Sequence, residues 1–67
     1  MYDAKANGDR LRMLRGKRTL EKVASETNIS VSALAMYERG ERNPRDEVKI
    51  AFANYYGVSV AEIFFAQ

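Results

Sequence analysis

Cysteine and histidine are both absent from this 67-residue sequence, and proline occurs only once. Without cysteine there is no disulfide scaffold, and without either residue there is no Cys/His metal site. The same two absences remove Ser-His-Asp and Cys-His catalysis. No apolar run approaches the roughly 20 residues that span a membrane, and no signal peptide is visible, so a cytoplasmic location is expected. No cofactor, metal or membrane partner is implied. What remains is a chain that is 46% hydrophobic and 30% charged, the composition of a folded domain rather than a disordered tail. Its length allows one small domain, residues 1–67, burying only about 60% of its unfolded surface.

The net charge of +2 is unevenly placed. Residues 1–18 carry six basic side chains against two acidic, a surplus of +4, whereas residues 19–67 carry five against seven. A basic end of this kind attracts polyanions, although a basic stretch is also an ordinary solvated helix face.

With one proline and four glycines, nearly every segment has helical spacing, and strand alternation is absent beyond a few residues. A first helix is expected from about Asn7–Asp9 to Arg15, burying Leu11 and Leu14 and ending at Gly16. Residues 1–6 either extend it or form a flexible arm. Thr19 caps a second helix that carries Glu21 in its first turn, buries Val23 and Ala24, and stops at Asn28. Ser30 caps a third, with Ile29 at staple spacing from Leu34, ending at Gly40. Asn43-Pro44 opens a fourth, with the proline at the first helical position. Val48, Phe52, Ala53 and Tyr56 line that helix to Gly57. Ser59-Val60-Ala61-Glu62 is a capping box for a short fifth, with Val58 and Ile63 as its staple. The expected architecture is all-α, five short helices with tight connections.

Helices two and three carry the most information. Ala24 is small where two helices would cross closely, Asn28 tolerates a positive φ, and Leu34 and Tyr37 lock the second helix across the first, as a helix-turn-helix requires. Thr27 is the weak member, since a larger apolar residue would fit better there. A generic helical hairpin has the same spacing.

From about Gly8 to Phe64 the sequence resembles the Cro/C1-type (XRE-like) helix-turn-helix regulators of phages and bacteria. The residues that carry the likeness are Leu11-x-x-Leu14-Arg15, Thr19-x-x-x-Val23-Ala24, Ile29-Ser30-x-Ser32-x-Leu34-x-x-Tyr37-Glu38-x-Gly40 and Arg42-Asn43-Pro44. Gly57-Val58-Ser59 and Glu62-Ile63-Phe64 complete it, and residues 44–49 with Phe64-Phe65 resemble a subgroup found on mobile elements. Two departures stand out: Leu20 replaces a glutamine that usually touches DNA, and only Gly16-Lys17-Arg18 link the first two helices. The resemblance implies a five-helix lambda-repressor-like fold and a sequence-specific transcription regulator, a repressor, binding a palindromic operator in double-stranded DNA as a homodimer. It also implies that Arg15 pairs with Glu38 to hold helix three against helix one.

With Leu34 and Tyr37 inward, helical spacing turns Val31, Ser32, Ala35, Met36 and Arg39 outward. In a helix-turn-helix this face enters the major groove. Val31, Ala35 and Met36 suit thymine methyls, and Ser32 can bond a base edge, so these four are the expected base readers. Phosphate contacts are expected from Arg39, Arg42, Asn43, Arg45 and Lys49 around the start of helix four. Thr19 and Ser30 would add to them, as would Arg10, Lys17 and Arg18 on the other flank. Glu38, Glu41, Asp46 and Glu47 dilute that field. Tyr2, Tyr37, Tyr55 and Tyr56 could suggest a stacking platform, but Tyr37 and Tyr56 fit a core better. Phe64 and Phe65 cannot both enter one small core, which leaves Phe65 as a dimer contact. No catalytic constellation is visible. Two other readings stay open: a protein-interaction module (antitoxin or adaptor) using Val31, Ala35 and Met36, and a non-specific nucleic-acid binder using only the basic cluster.

Overall fold

The computed structural model describes residues 3–66. They form five helices: α1 (Ala4–Arg15), α2 (Leu20–Thr27), α3 (Val31–Glu38), α4 (Asp46–Tyr56) and α5 (Val60–Phe64). No strand occurs among the described residues, and no helix there is long and apolar enough to cross a membrane. The all-α, five-helix expectation holds.

Capping side chains set most of the boundaries. Thr19 accepts from the Lys22 N–H at 3.0 Å, Ser30 from the Ala33 N–H at 3.1 Å, and Ser59 and Glu62 form the reciprocal capping box at 3.1 Å each way. Each bond satisfies an amide that the first helical turn would leave without a partner. At the other ends, Asn28 and Gly57 adopt left-handed conformations, and their N–H groups return to Ala24 and Ala53. α3 ends at Glu38, two residues before the expected stop; Arg39 is its C-cap, and Gly40 turns the chain with φ 73°.

Two boundaries differ from the sequence reading. α1 starts at Ala4, capped by Asp3, rather than at Asn7–Asp9. The Asp3 carboxylate accepts from the Ala6 N–H at 3.1 Å, so residues 4–6 extend the helix; the part of the suggested arm at residues 1–2 lies outside the described residues. Gly8 reads locally as a helix breaker, yet it sits buried inside α1 because α3 approaches there. A Cβ on Gly8 would lie 2.4 Å from the Glu38 carbonyl oxygen. α4 starts at Asp46, not at Pro44. Arg45 is extended (φ −71°, ψ 166°) and serves as N-cap, and Pro44 precedes it as a buried residue outside the helix.

The core gathers Leu11, Val23, Leu34, Tyr37, Phe52, Ile63 and Phe64, each 5% exposed or less. Phe52 is its centre. Tyr37 meets it edge-on at 5.9 Å, Tyr56 stacks parallel at 6.3 Å and Phe64 lies tilted at 6.2 Å. α3 is thus enclosed by α1 and α2, while α5 closes the core against α1 and α4.

Candidate nucleic-acid interface

The α2–α3 pair is built by its turn. Asn28, at φ 64° and ψ 23°, reverses the chain within Asn28-Ile29-Ser30, and Ser30 caps the next helix at once. Thr27, the weak member of the pattern, is half-buried, and its hydroxyl donates to the Val23 carbonyl at 2.7 Å. The same oxygen accepts from the Ile29 N–H at 3.4 Å. A bonded hydroxyl therefore occupies the place where an apolar side chain was expected, without an unsatisfied polar atom.

α3 buries Leu34 (1% exposed) and Tyr37 (5%). Its first turn is open: Val31 is 39% exposed and Ser32 is exposed. Ala35 and Met36 are half-buried, less open than helical spacing alone implies, and the chain doubles back at that level with the Glu41 N–H bonded to the Met36 carbonyl at 2.9 Å. The N-terminal end of α3 is thus its most accessible part.

Arg15 and Glu38 hold the other end. Arg15 Nε and Nη2 donate to the two Glu38 carboxylate oxygens at 2.8 and 2.9 Å, and Nη1 donates to the Arg18 carbonyl at 2.8 Å. Their side chains are 18% and 8% exposed, so the fork is largely withdrawn from water. The Glu38 hydrogen bonds also push the Arg15 pKa above its ordinary value. One guanidinium fixes both the tilt of α3 and the α1–α2 link.

The seven basic side chains expected at phosphates divide into three groups. Arg42, Arg45 and Lys17 are exposed, as is Asn43, and the Arg42 guanidinium lies 5.8 Å from the Tyr37 ring centre. Arg45 precedes a helix whose first amides receive no side-chain cap. Thr19 and Ser30 use their oxygens as cap acceptors, which leaves each O–H able to donate outward. A second group is exposed but engaged. Arg39 forms a two-bond fork with Glu41, and Arg18 lies 5.5 and 5.6 Å from the Tyr55 and Tyr56 ring centres while donating to the Leu14 carbonyl.

Arg10 and Lys49 form the third group, engaged in contacts within the fold. Arg10 donates to the Ile63 carbonyl and to the Asn7 side chain, tying α1 to α5 instead of flanking α3. Lys49 is only 15% exposed at its side chain. Its ammonium sits 3.7 Å from Asp46 and 5.8 and 5.2 Å from the Phe64 and Phe65 ring centres. Besides one i,i+3 contact each, with Asn7 and Asp46, Arg10 and Lys49 reach Ile63 and Phe64–Phe65, too far along the chain for helical spacing to show.

The described tyrosines, Tyr37, Tyr55 and Tyr56, do not assemble a platform. Tyr37 is buried, and Tyr56 packs on Phe52 with its hydroxyl buried and unpartnered. Burial first, then the nearby Glu38 charge, pushes the Tyr56 pKa up to about 12. Tyr55 donates its hydroxyl to the Glu26 carboxylate, joining α4 to α2. Tyr2 lies outside the described residues. Phe64 is 2% exposed and Phe65 55% exposed, one in the core and one at the surface.

The sequence reading treated Glu41 only as a charge that weakens the basic field, and missed it as a partner of Arg39. At i,i+2, across a turn, no helical rule pairs the two.

Comparison with known proteins brings two findings. Residues 8–63 match a family described as a helix-turn-helix domain. The crystal structure of the DNA-binding domain of BldD is similar to this chain, with a TM-score of 0.77 and 29% identity over 92% of this chain and 93% of that one. No curated protein matches the chain significantly.

Proposed function

The chain belongs to the helix-turn-helix domain family, and from that premise we propose that it is a sequence-specific transcription regulator, a repressor, that binds double-stranded DNA as a homodimer with α3 in the major groove. One observation carries the reading. α3 is fixed by Leu34, Tyr37 and the Arg15–Glu38 fork, and it leaves Val31 and Ser32 open at its N-terminal end, the end that leads into the groove. Val31 offers a thymine methyl contact, with Met36 and Ala35 at the margin, and Ser32 offers a hydrogen bond. Arg42, Arg45, Lys17, Arg18, Arg39 and the capping hydroxyls of Thr19 and Ser30 supply phosphate contacts, which give register and salt-dependent affinity without reading sequence. The similar BldD chain is itself a DNA-binding domain, which supports the same reading.

Selection from random duplex DNA tests this directly. Enrichment of one palindrome is the expected result. Binding without enrichment would favour backbone recognition alone, and no binding would move the protein-interaction reading of the Val31 face ahead.

A further inference from the structure

Arg39 is an exposed cation at the end of α3 whose fork is already filled. Its Nε and Nη2 donate to the two Glu41 carboxylate oxygens at 3.0 Å each. The side chains are 57% and 53% exposed, so this is a surface pair. The turn that makes it is nevertheless fixed. Gly40 turns the chain with φ 73°, the Gly40 N–H bonds to the Tyr37 carbonyl at 3.1 Å, and the Glu41 N–H bonds to the Met36 carbonyl at 2.9 Å. Gly40 also abuts α1, where a Cβ would come within 2.8 Å of the Lys5 Cα. The main chain thus presents the Glu41 carboxylate to the C-cap residue of α3.

A carboxylate that fills a guanidinium with two parallel bonds occupies the site a phosphate would take, because phosphate binds the same fork in the same way. We propose that Glu41 is a built-in competitor for the DNA backbone at Arg39, which lowers affinity for generic duplex and flattens its salt dependence. The inference rests on the DNA-binding reading above. Exposed pairs are weak, so the competitor is displaceable rather than blocking. Salt loosens the internal pair as well as the phosphate contact. The two effects oppose each other, and the slope of affinity against salt is shallower than the number of cations implies.

The test is a salt titration of the full chain on a mixed-sequence duplex of about 20 base pairs, comparing parent, Glu41→Gln, Arg39→Ala and the double variant. Glu41→Gln should tighten binding by about threefold to fivefold at low salt and steepen the slope by up to roughly one unit. Glu47→Gln removes the same charge nearby without touching the fork, and should tighten binding less. In the Arg39→Ala background Glu41→Gln should gain no more than Glu47→Gln does. Arg39, Glu41 and Glu47 are all exposed, so folding is not at stake. A gain from Glu41→Gln that persists without Arg39 would overturn the competitor and leave only a general charge effect. Weaker binding by Glu41→Gln would also overturn it, making Glu41 a positioning residue for Arg39. If the parent and every variant failed to bind any duplex, the DNA reading itself would fall, and the competitor with it.

Discussion

Glu38 shows how one side chain can serve a reading surface without belonging to it. Its carboxylate takes two bonds from Arg15 and is 8% exposed, so removing its charge leaves a guanidinium withdrawn from water with only half its partner. Losing one member of a buried pair costs about 3–5 kcal/mol, and glutamine keeps one acceptor, so Glu38→Gln should cost about 2–3 kcal/mol. In a domain of this size that lowers the thermal midpoint by roughly 10 °C or more, which calorimetry would register; an unchanged midpoint would refute the buried fork. Tyr56 gives a second test, through pH. Its pKa is raised from 10.0 to about 12 in the folded chain, so its contribution to stability is complete below pH 10 and is lost as the pH rises through 12. The ring is only half-buried, and after solvent screening the loss is at most about 2 kcal/mol. Phenolate absorbance should show a late-ionising component from Tyr56, together with unfolding. A titration with no late component in a folded chain would contradict the burial.

Among the helices, the contact of α1 with α3 was the hardest to read from the sequence. Caps and staples are local, and Thr19, Asn28, Ser30 and the Ser59–Glu62 box marked their boundaries because each acts within four residues. The start of α1 rests on an equally local cap, Asp3 on Ala6; what was not legible is why Gly8 sits inside the helix, since that is explained by a carbonyl thirty residues away. The Pro44 boundary failed for a related reason: burial of the proline places it outside the helix it was expected to open. The candidate site divided the same way. The Arg15–Glu38 pair followed from a family likeness, whereas the inward turn of Arg10 and Lys49 depends on α5 and left no trace in spacing. Gly8→Ala should test the helix contact by its sign. In an open helix the change gains about 1 kcal/mol, but here it should cost about 1–3 kcal/mol by prying α3 away. A stabilised variant in a denaturant titration would mean that α1 and α3 do not approach so closely. At the tip of α3, Val31 should make a thymine contact. Replacing that thymine by deoxyuridine should cost on the order of 1 kcal/mol, and Val31→Ala should erase the difference. An operator insensitive to every uracil substitution would remove the apolar side chains from the readout.

At the scale of the whole molecule, a core of seven side chains leaves sizeable apolar groups outside. Phe65 is 55% exposed beside Lys49, and Met13 is 81% exposed next to the groove between α1 and α5. A homodimer joined near Phe65 would set two α3 helices about 34 Å apart, one turn of DNA. Phe65→Glu should then shift sedimentation on a full operator from two chains to one. A dimer that survives the change would move the contact to the Met13 face, and a parent that is monomeric both free and on DNA would remove the dimer. The way α3 is held has a mechanical consequence too. Its C-terminal end is clamped to α1 through the Arg15–Glu38 fork and the gap left by Gly8, while its N-terminal end is supported by the short turn from α2. Such a helix is a beam held at both ends, and Val31 and Ser32 stand at the end held by the turn. Differences in groove width between operators would then have to be met by the DNA and not by the helix, so deformability of the site would count toward recognition while the angle of approach stays fixed.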